Sequence, residues 1–205
     1  TALNGGTSVI VATGAGGAQA GNITVANAIN KSAGGNASLT LTAINNIVFN
    51  AGADIGASAG QLALTLNAGG TITNPATINT NGGLLTYNAT GAATQSGVIS
   101  GAGGLTKKGA GMLTLSGANA YTGTTTINAG TLTVSGGNAI ADTSQVTLAN
   151  TAGATLNLAN SETIGNLSGG GTTGGNVTLG ANTLTLNEAG ATTYSGVVSG
   201  SGGLT

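Results

Sequence analysis

The chain has 205 residues, enough for a sizeable core, yet it holds 40 Gly, one Phe, three Tyr and no Trp, so large aromatic side chains cannot be what fills its interior. Three basic and four acidic residues leave a net charge of −1, which excludes a patch able to neutralise a row of nucleic-acid phosphates. No His and no Cys are present, which removes zinc sites, disulfides and the common nucleophile–base pairs, and no apolar run approaches the roughly 18 residues of a membrane-spanning helix. Gly and Pro together are 41 of 205 residues, below the roughly 25–30% of aperiodic low-complexity chains. The 40% hydrophobic and 3% charged content also argues for a packed chain over a disordered one.

In chain order, the first stretch, from Thr1 to Gly21, pairs a short apolar strand, Ser8 to Ala12, with a Gly-rich run from Gly14 to Gly21. From Asn22 to Gly52 the pairs Ile23/Val25, Leu39/Leu41 and Ile47/Phe49 alternate with polar residues, the period-2 pattern of half-buried strands. Leu113/Leu115 and Leu132/Val134 repeat the pattern 19 residues apart, about one turn of a coiled solenoid. Leu85 to Thr106 matches Leu184 to Thr205 at 15 of 22 positions, an internal repeat with an offset of about five turns of about 20 residues. The chain starts Thr-Ala-Leu-Asn, with no Met or signal-type apolar segment, and reads as a mature or excised piece of a longer repetitive protein.

These patterns predict an all-β fold: a right-handed parallel β-helix of roughly ten turns of about 20 residues, continuous over residues 1–205 as one domain. At about 4.8 Å per turn it would be a rod roughly 50 Å long. Asn67, Asn128, Asn150, Asn157 and Asn187 fall at expected turns, where they either stack into amide ladders between turns or supply left-handed geometry.

Leu105-Thr106-Lys107, Gly109 to Gly111, Leu113 to Ser116, Gly117 to Asn119, Tyr121 to Gly123 and Thr125 to Leu132 together resemble the autotransporter-associated β-strand repeat. Met112 and Thr124 depart from its usual Thr and Gly. Asn22 to Gly52 and Gln61 to Gly83 resemble the coil repeats of filamentous haemagglutinin-like exoproteins. The resemblances imply a β-helical segment of a large bacterial protein, extracellular or on the outer cell surface.

Candidate chemistry is sparse. Asp54, Asp142, Glu162 and Glu188 are the carboxylates; Asp142 and Glu162, 20 residues apart, are the pair that adjacent turns would bring together for glycoside hydrolysis. Gly14 to Gly17 and Gly101 to Gly104 lack a following helix and the P-loop Lys. Tyr87, Tyr121 and Tyr194 are expected to cover the apolar edge of a turn with the hydroxyl in water, surface platforms for sugars being the alternative. Thr-x-Thr at 40/42, 71/73, 124/126, 131/133 and 183/185 resembles the ice-binding rows of some antifreeze solenoids, although the irregular spacing scatters the pairs over several faces.

The expectation is a non-enzymatic segment with no catalytic, cofactor or metal residues, serving as a stiff stalk or extracellular fibre in adhesion, aggregation or biofilm matrix. Its expected partners are itself or like chains, end to end or laterally, and surface glycans or extracellular polysaccharide. Neither nucleic acid nor a membrane span is expected. The alternatives are a glycan-binding or polysaccharide-acting passenger and an ice-binding solenoid.

Overall fold

A computed structural model describes residues 2–14, 21–187 and 190–205. The described chain is a parallel β-solenoid of about eight turns of about 21 residues, and no α-helix occurs among the described residues. The first face is an eight-stranded sheet whose strands include Ala37–Ala43, Leu62–Ala68, Leu85–Ala89, Leu105–Lys107, Thr125–Ile127, Val146–Leu148 and Leu167–Gly169. The second is a nine-stranded sheet that runs from Ile23–Val25 to Val198–Gly200. A third face has five strands, Ile29–Lys31, Ile55–Ala57, Ile78–Asn79, Ile99–Gly101 and Ala120–Tyr121. Every recorded strand pairing is parallel.

Turn count is the point at which the sequence reading is corrected, to about eight from roughly ten. The physical reason is uneven turn length: Leu39, Leu64 and Leu85 are register partners in successive turns although they step by 25 and 21 residues. Eight turns at about 4.8 Å span roughly 40 Å.

Strand alternation sets what lies inside. Leu39, Leu64, Leu85 and Leu105 form one inward column of the first face, and Ile29, Ile55, Ile78 and Ile99 form that of the third. Leu113 lies on Leu132, as the 19-residue interval predicts. These side chains join one apolar cluster that extends from Leu3 to Leu184. Outward residues align by the same register: Thr40, Thr65, Thr86, Thr106, Thr126, Thr147 and Ser168 make a hydroxyl column on the first face. Thr73, Thr94 and Thr114 make another on the second, continued in register by Thr133, which is buried.

Glycine allows the turns to stack at their corners. A Cβ on Gly111 would lie 1.9 Å from the Gly91 carbonyl oxygen, and one on Gly130 2.4 Å from that of Gly111. Gly130 also has φ of +64°, in the left-handed region that side chains disfavour.

The register makes a sharp contrast between neighbours in one strand. Leu64→Ala should cost about 2–5 kcal/mol through a cavity in the stack, whereas Thr65→Ala should stay within about 0.5 kcal/mol, both measured by urea unfolding. Equal costs would show that the strand does not alternate as described.

Candidate functional site

The third face is where the regular coil breaks. After Ala120–Tyr121 the next turn forms no strand at this position; Ala139 and Ile140 pass there with both side chains fully buried. The following turn supplies Glu162–Ile164, which pairs with Leu184–Leu186 in a separate two-stranded sheet. The segment between Thr131–Val134 and Val146–Leu148 therefore bulges as a loop, and an open cleft of about 410 Å³ lies between it and the preceding turn. Ala118, Asn119, Ala120, Asn138, Ile140 and Asp142 are among its lining residues.

Side chains replace the missing strand ladder. Asn119 Oδ1 accepts the Ile99 N–H at 2.7 Å, and its Nδ2 donates to the Ala139 carbonyl at 2.7 Å. The Asn119 N–H also donates to the Asn138 carbonyl at 2.9 Å. From the far side, Glu162 Oε1 accepts the Ile140 N–H at 2.7 Å. Amide and carboxylate thus bind the irregular turn to both neighbours, each meeting backbone groups that would otherwise be buried without partners.

Electrostatics mark Glu162 as costly. It is 3% exposed, and its Oε2 has no partner among the described residues. Burial pushes its carboxyl above the usual range; the Ile140 and Ala139 N–H groups pull it back, and the Asp142 charge raises it again. The two carboxylates proposed as a pair are thereby placed apart in role: Asp142 is exposed on the loop, whereas Glu162 is a buried backbone acceptor. Asp54 Oδ1 likewise accepts a backbone N–H, from Thr77 at 2.8 Å. Glu188, Gly16 and Gly17 lie outside the described residues. No group of three or more His, Cys, Asp or Glu residues is close enough to hold a metal ion among the described residues.

The tyrosines require a correction. Tyr87 and Tyr121 are 0% and 1% exposed, so neither is a surface platform and neither keeps its hydroxyl in water. Tyr87 donates to Gln95 Oε1, and Gln95 Nε2 donates to the Ala76 and Gly97 carbonyls at 2.9 and 2.8 Å. The Tyr121 hydroxyl pairs with Thr125 Oγ1 at 2.7 Å. Burial drives both phenols well above their ordinary range, opposed by the Asn74 side chain at Tyr87 and by the Thr125 bond at Tyr121, with the Glu162 charge adding to the rise at Tyr121. Tyr194 is half-buried and donates to the Gly175 carbonyl at 2.7 Å, and burial pushes it up to about 12.

Two lysines that sequence reasoning passed over also point inward. Lys31 and Lys107 are 0% and 1% exposed, and each ammonium is held by corner carbonyls. Lys31 Nζ donates to Ala33 at 3.1 Å and to Ala59, and Lys107 Nζ donates to Ala129 at 3.0 Å and to Gly109. Desolvation lowers Lys107 to about 8. A signal was available: Tyr87 and Lys107 share the inward parity of Leu85 and Leu105 in their own strands, and Tyr87 lies on Lys107.

These shifts fix the direction of pH dependence. Glu162 is raised in the fold, so its contribution is full below the unfolded carboxyl value and is lost as pH rises through the folded one. Lys107 is lowered to about 8, so stability recovers as pH rises from about 8 until Tyr87 and Tyr121, with folded values raised above the ordinary phenol, begin to reverse it above about 10. Thermal unfolding across pH should show the acidic arm vanish in Glu162→Gln and the alkaline recovery vanish in Lys107→Met. With only four carboxylates in the chain, an unaltered acidic arm in Glu162→Gln would refute the assignment.

Comparison with known proteins agrees with the stretch that carries the regular coil into this break. Residues 105–134 match the passenger-associated-transport-repeat. The chain is 36% identical over 140 residues, 65% of its length, to the adhesin BmaC autotransporter of Brucella suis biovar 1 (strain 1330). The match spans about 4% of that protein. No solved structure matches the chain. The chain is therefore a parallel β-solenoid that carries a passenger-associated-transport-repeat and is similar to a small part of an autotransporter adhesin.

Proposed function

We propose that this segment is a stiff spacer in the passenger of a large bacterial surface protein, a stalk that carries an adhesive or matrix-forming molecule away from the cell. The observation that carries this reading is the pair of parallel sheets, eight and nine strands deep, that run the length of the described coil. Each turn contacts only its neighbours, so backbone hydrogen bonds lie along the axis and resist extension and bending together. The outward columns are mainly hydroxyls and amides, with Ile10 and Val48 among their exposed members, and the buried lysines and Glu162 withdraw three of the few charges from the surface. Such a rod carries no strong field to select a charged partner.

The similarity to an autotransporter adhesin supports placement on or outside the cell surface and a non-enzymatic role. Polysaccharide cleavage is disfavoured because Glu162 is spent on the Ile140 N–H, and sugar stacking is disfavoured because Tyr87 and Tyr121 are interior. Ice binding is disfavoured by register. The Thr-x-Thr pairs at 40/42, 71/73, 124/126 and 131/133 each meet single threonines or other residues in adjoining turns, so the hydroxyl columns stay one residue wide.

The test is removal of whole turns from the parent protein. Deleting residues 64–84 and 85–104 joins Ala63 to Leu105, which takes the register position that Leu64 held, and should shorten the rod by about 10 Å. Cells carrying the shortened protein should retain most of their adhesion. Loss of adhesion to the level of cells lacking the protein would show that the segment is itself the binding element.

A further inference from the structure

Six Asn-x-Ser/Thr triplets occur, beginning at Asn22, Asn30, Asn36, Asn88, Asn166 and Asn176. The triplet is the acceptor pattern for N-linked glycosylation, and the coil explains both why it recurs and how its copies differ. An outward Asn, an inward residue and an outward hydroxyl are three successive positions of one strand entry. Ile23, Lys31 and Ala37 are accordingly buried between their flanking residues.

Three copies fall within a single turn and differ from the rest. Asn22, Asn30 and Asn36 are exposed, whereas Asn88, Asn166 and Asn176 are half-buried. They stand at the entry to the second face, on the third face and at the entry to the first face, so one turn presents an acceptor in each of three directions. Asn22 Oδ1 accepts the Asn46 N–H at 3.0 Å and Asn36 Oδ1 accepts the Gln61 N–H at 2.9 Å. In both, the amide oxygen ties one turn to the next while Nδ2 donates to no described residue. A substituent on Nδ2 leaves that bond in place, because the glycosylated amide keeps its carbonyl oxygen. Asn88 is the reverse case: its Nδ2 donates to Asn67 Oδ1 at 3.0 Å, and a sugar there would break the bond.

We propose that Asn22, Asn30 and Asn36 are N-glycosylation sites, forming a sugar collar around one turn of the rod. The donor class is a sugar activated as its diphosphate, on either a nucleotide or a polyprenyl carrier. The bond from Asn Nδ2 to the anomeric carbon forms, the bond from that carbon to the diphosphate oxygen breaks, the diphosphate leaves with the electron pair, and one amide proton is lost to a base. The hydroxyls of Thr24, Ser32 and Ser38 complete the acceptor triplets. This inference does not depend on the stalk reading, since a binding segment would carry the same collar.

The experiment is peptide mass spectrometry, with fragmentation that keeps side-chain substituents, on the surface protein purified from its natural source. Sugar-sized mass increments are expected on Asn22, Asn30 and Asn36, with Asn88 unmodified. Thr24→Ala, Ser32→Ala and Ser38→Ala should each remove the increment from its own asparagine alone, with an unchanged circular-dichroism spectrum. Unmodified peptides at all three asparagines, an increment on Asn88 equal to that on Asn36, or increments that survive loss of the hydroxyl residue would each overturn the proposal.

Discussion

The hydrogen-bonded register between successive turns is the constraint on which the rest of this structure depends. Turns spaced about 4.8 Å apart place each residue directly over its equivalent in the turn below, so a demand made at one position is repeated at the next. A column that begins with Leu39 stays apolar through Leu64, Leu85 and Leu105. Glycine recurs for the same reason: at the corner of Gly91, Gly111 and Gly130, backbone packs on backbone and leaves no room for a Cβ.

Where the backbone ladder lapses, polar side chains continue it. Asn22 Oδ1 accepts from Asn46 and Asn46 Oδ1 accepts from Thr71, a chain of amides climbing one corner. Asn150 does the same for Thr173 and Gly174. Lys31 and Lys107 act at other corners with the opposite polarity, donating to carbonyls instead of accepting from N–H groups. The break in the third face is the extreme case, in which Asn119 and Glu162 hold a whole irregular turn. A buried carboxylate is an expensive way to satisfy one N–H, and it is the reason this turn responds to pH when most of the rod has nothing to titrate.

Much of this was legible in the sequence, and the failures have physical causes. Strand alternation, the stacking of Leu113 on Leu132 and the parallel coil follow from period-2 runs at near-regular spacing. The number of turns does not, because corners absorb insertions without altering the register of the faces. The same slack displaces the internal repeat: Leu85 lies on the first face, while its sequence equivalent Leu184 pairs with Glu162 in the two-stranded sheet, although Leu85 pairs with Leu105 just as Leu184 pairs with Leu204. Tyr87 was expected to keep its hydroxyl in water because a phenol is amphipathic, and Lys31 and Lys107 drew no reading of burial at all, whereas strand parity, the stronger signal here, places all three inward. Amide stacking was partly foreseen: Asn88 does donate to Asn67, but most asparagines bridge to backbone, which residue spacing alone does not distinguish.

The spacer role proposed above requires a coil that resists being pulled, and that requirement has a direct measurement. In single-molecule force spectroscopy, the chain held at both ends should yield in successive force peaks as turns strip from the coil. Each turn of about 21 residues at roughly 3.6 Å per residue would release about 75 Å of contour. Peaks spaced at that length or its multiples are the expected result. A smooth, featureless extension would contradict the account, because it would mean that the stacked turns bear no load.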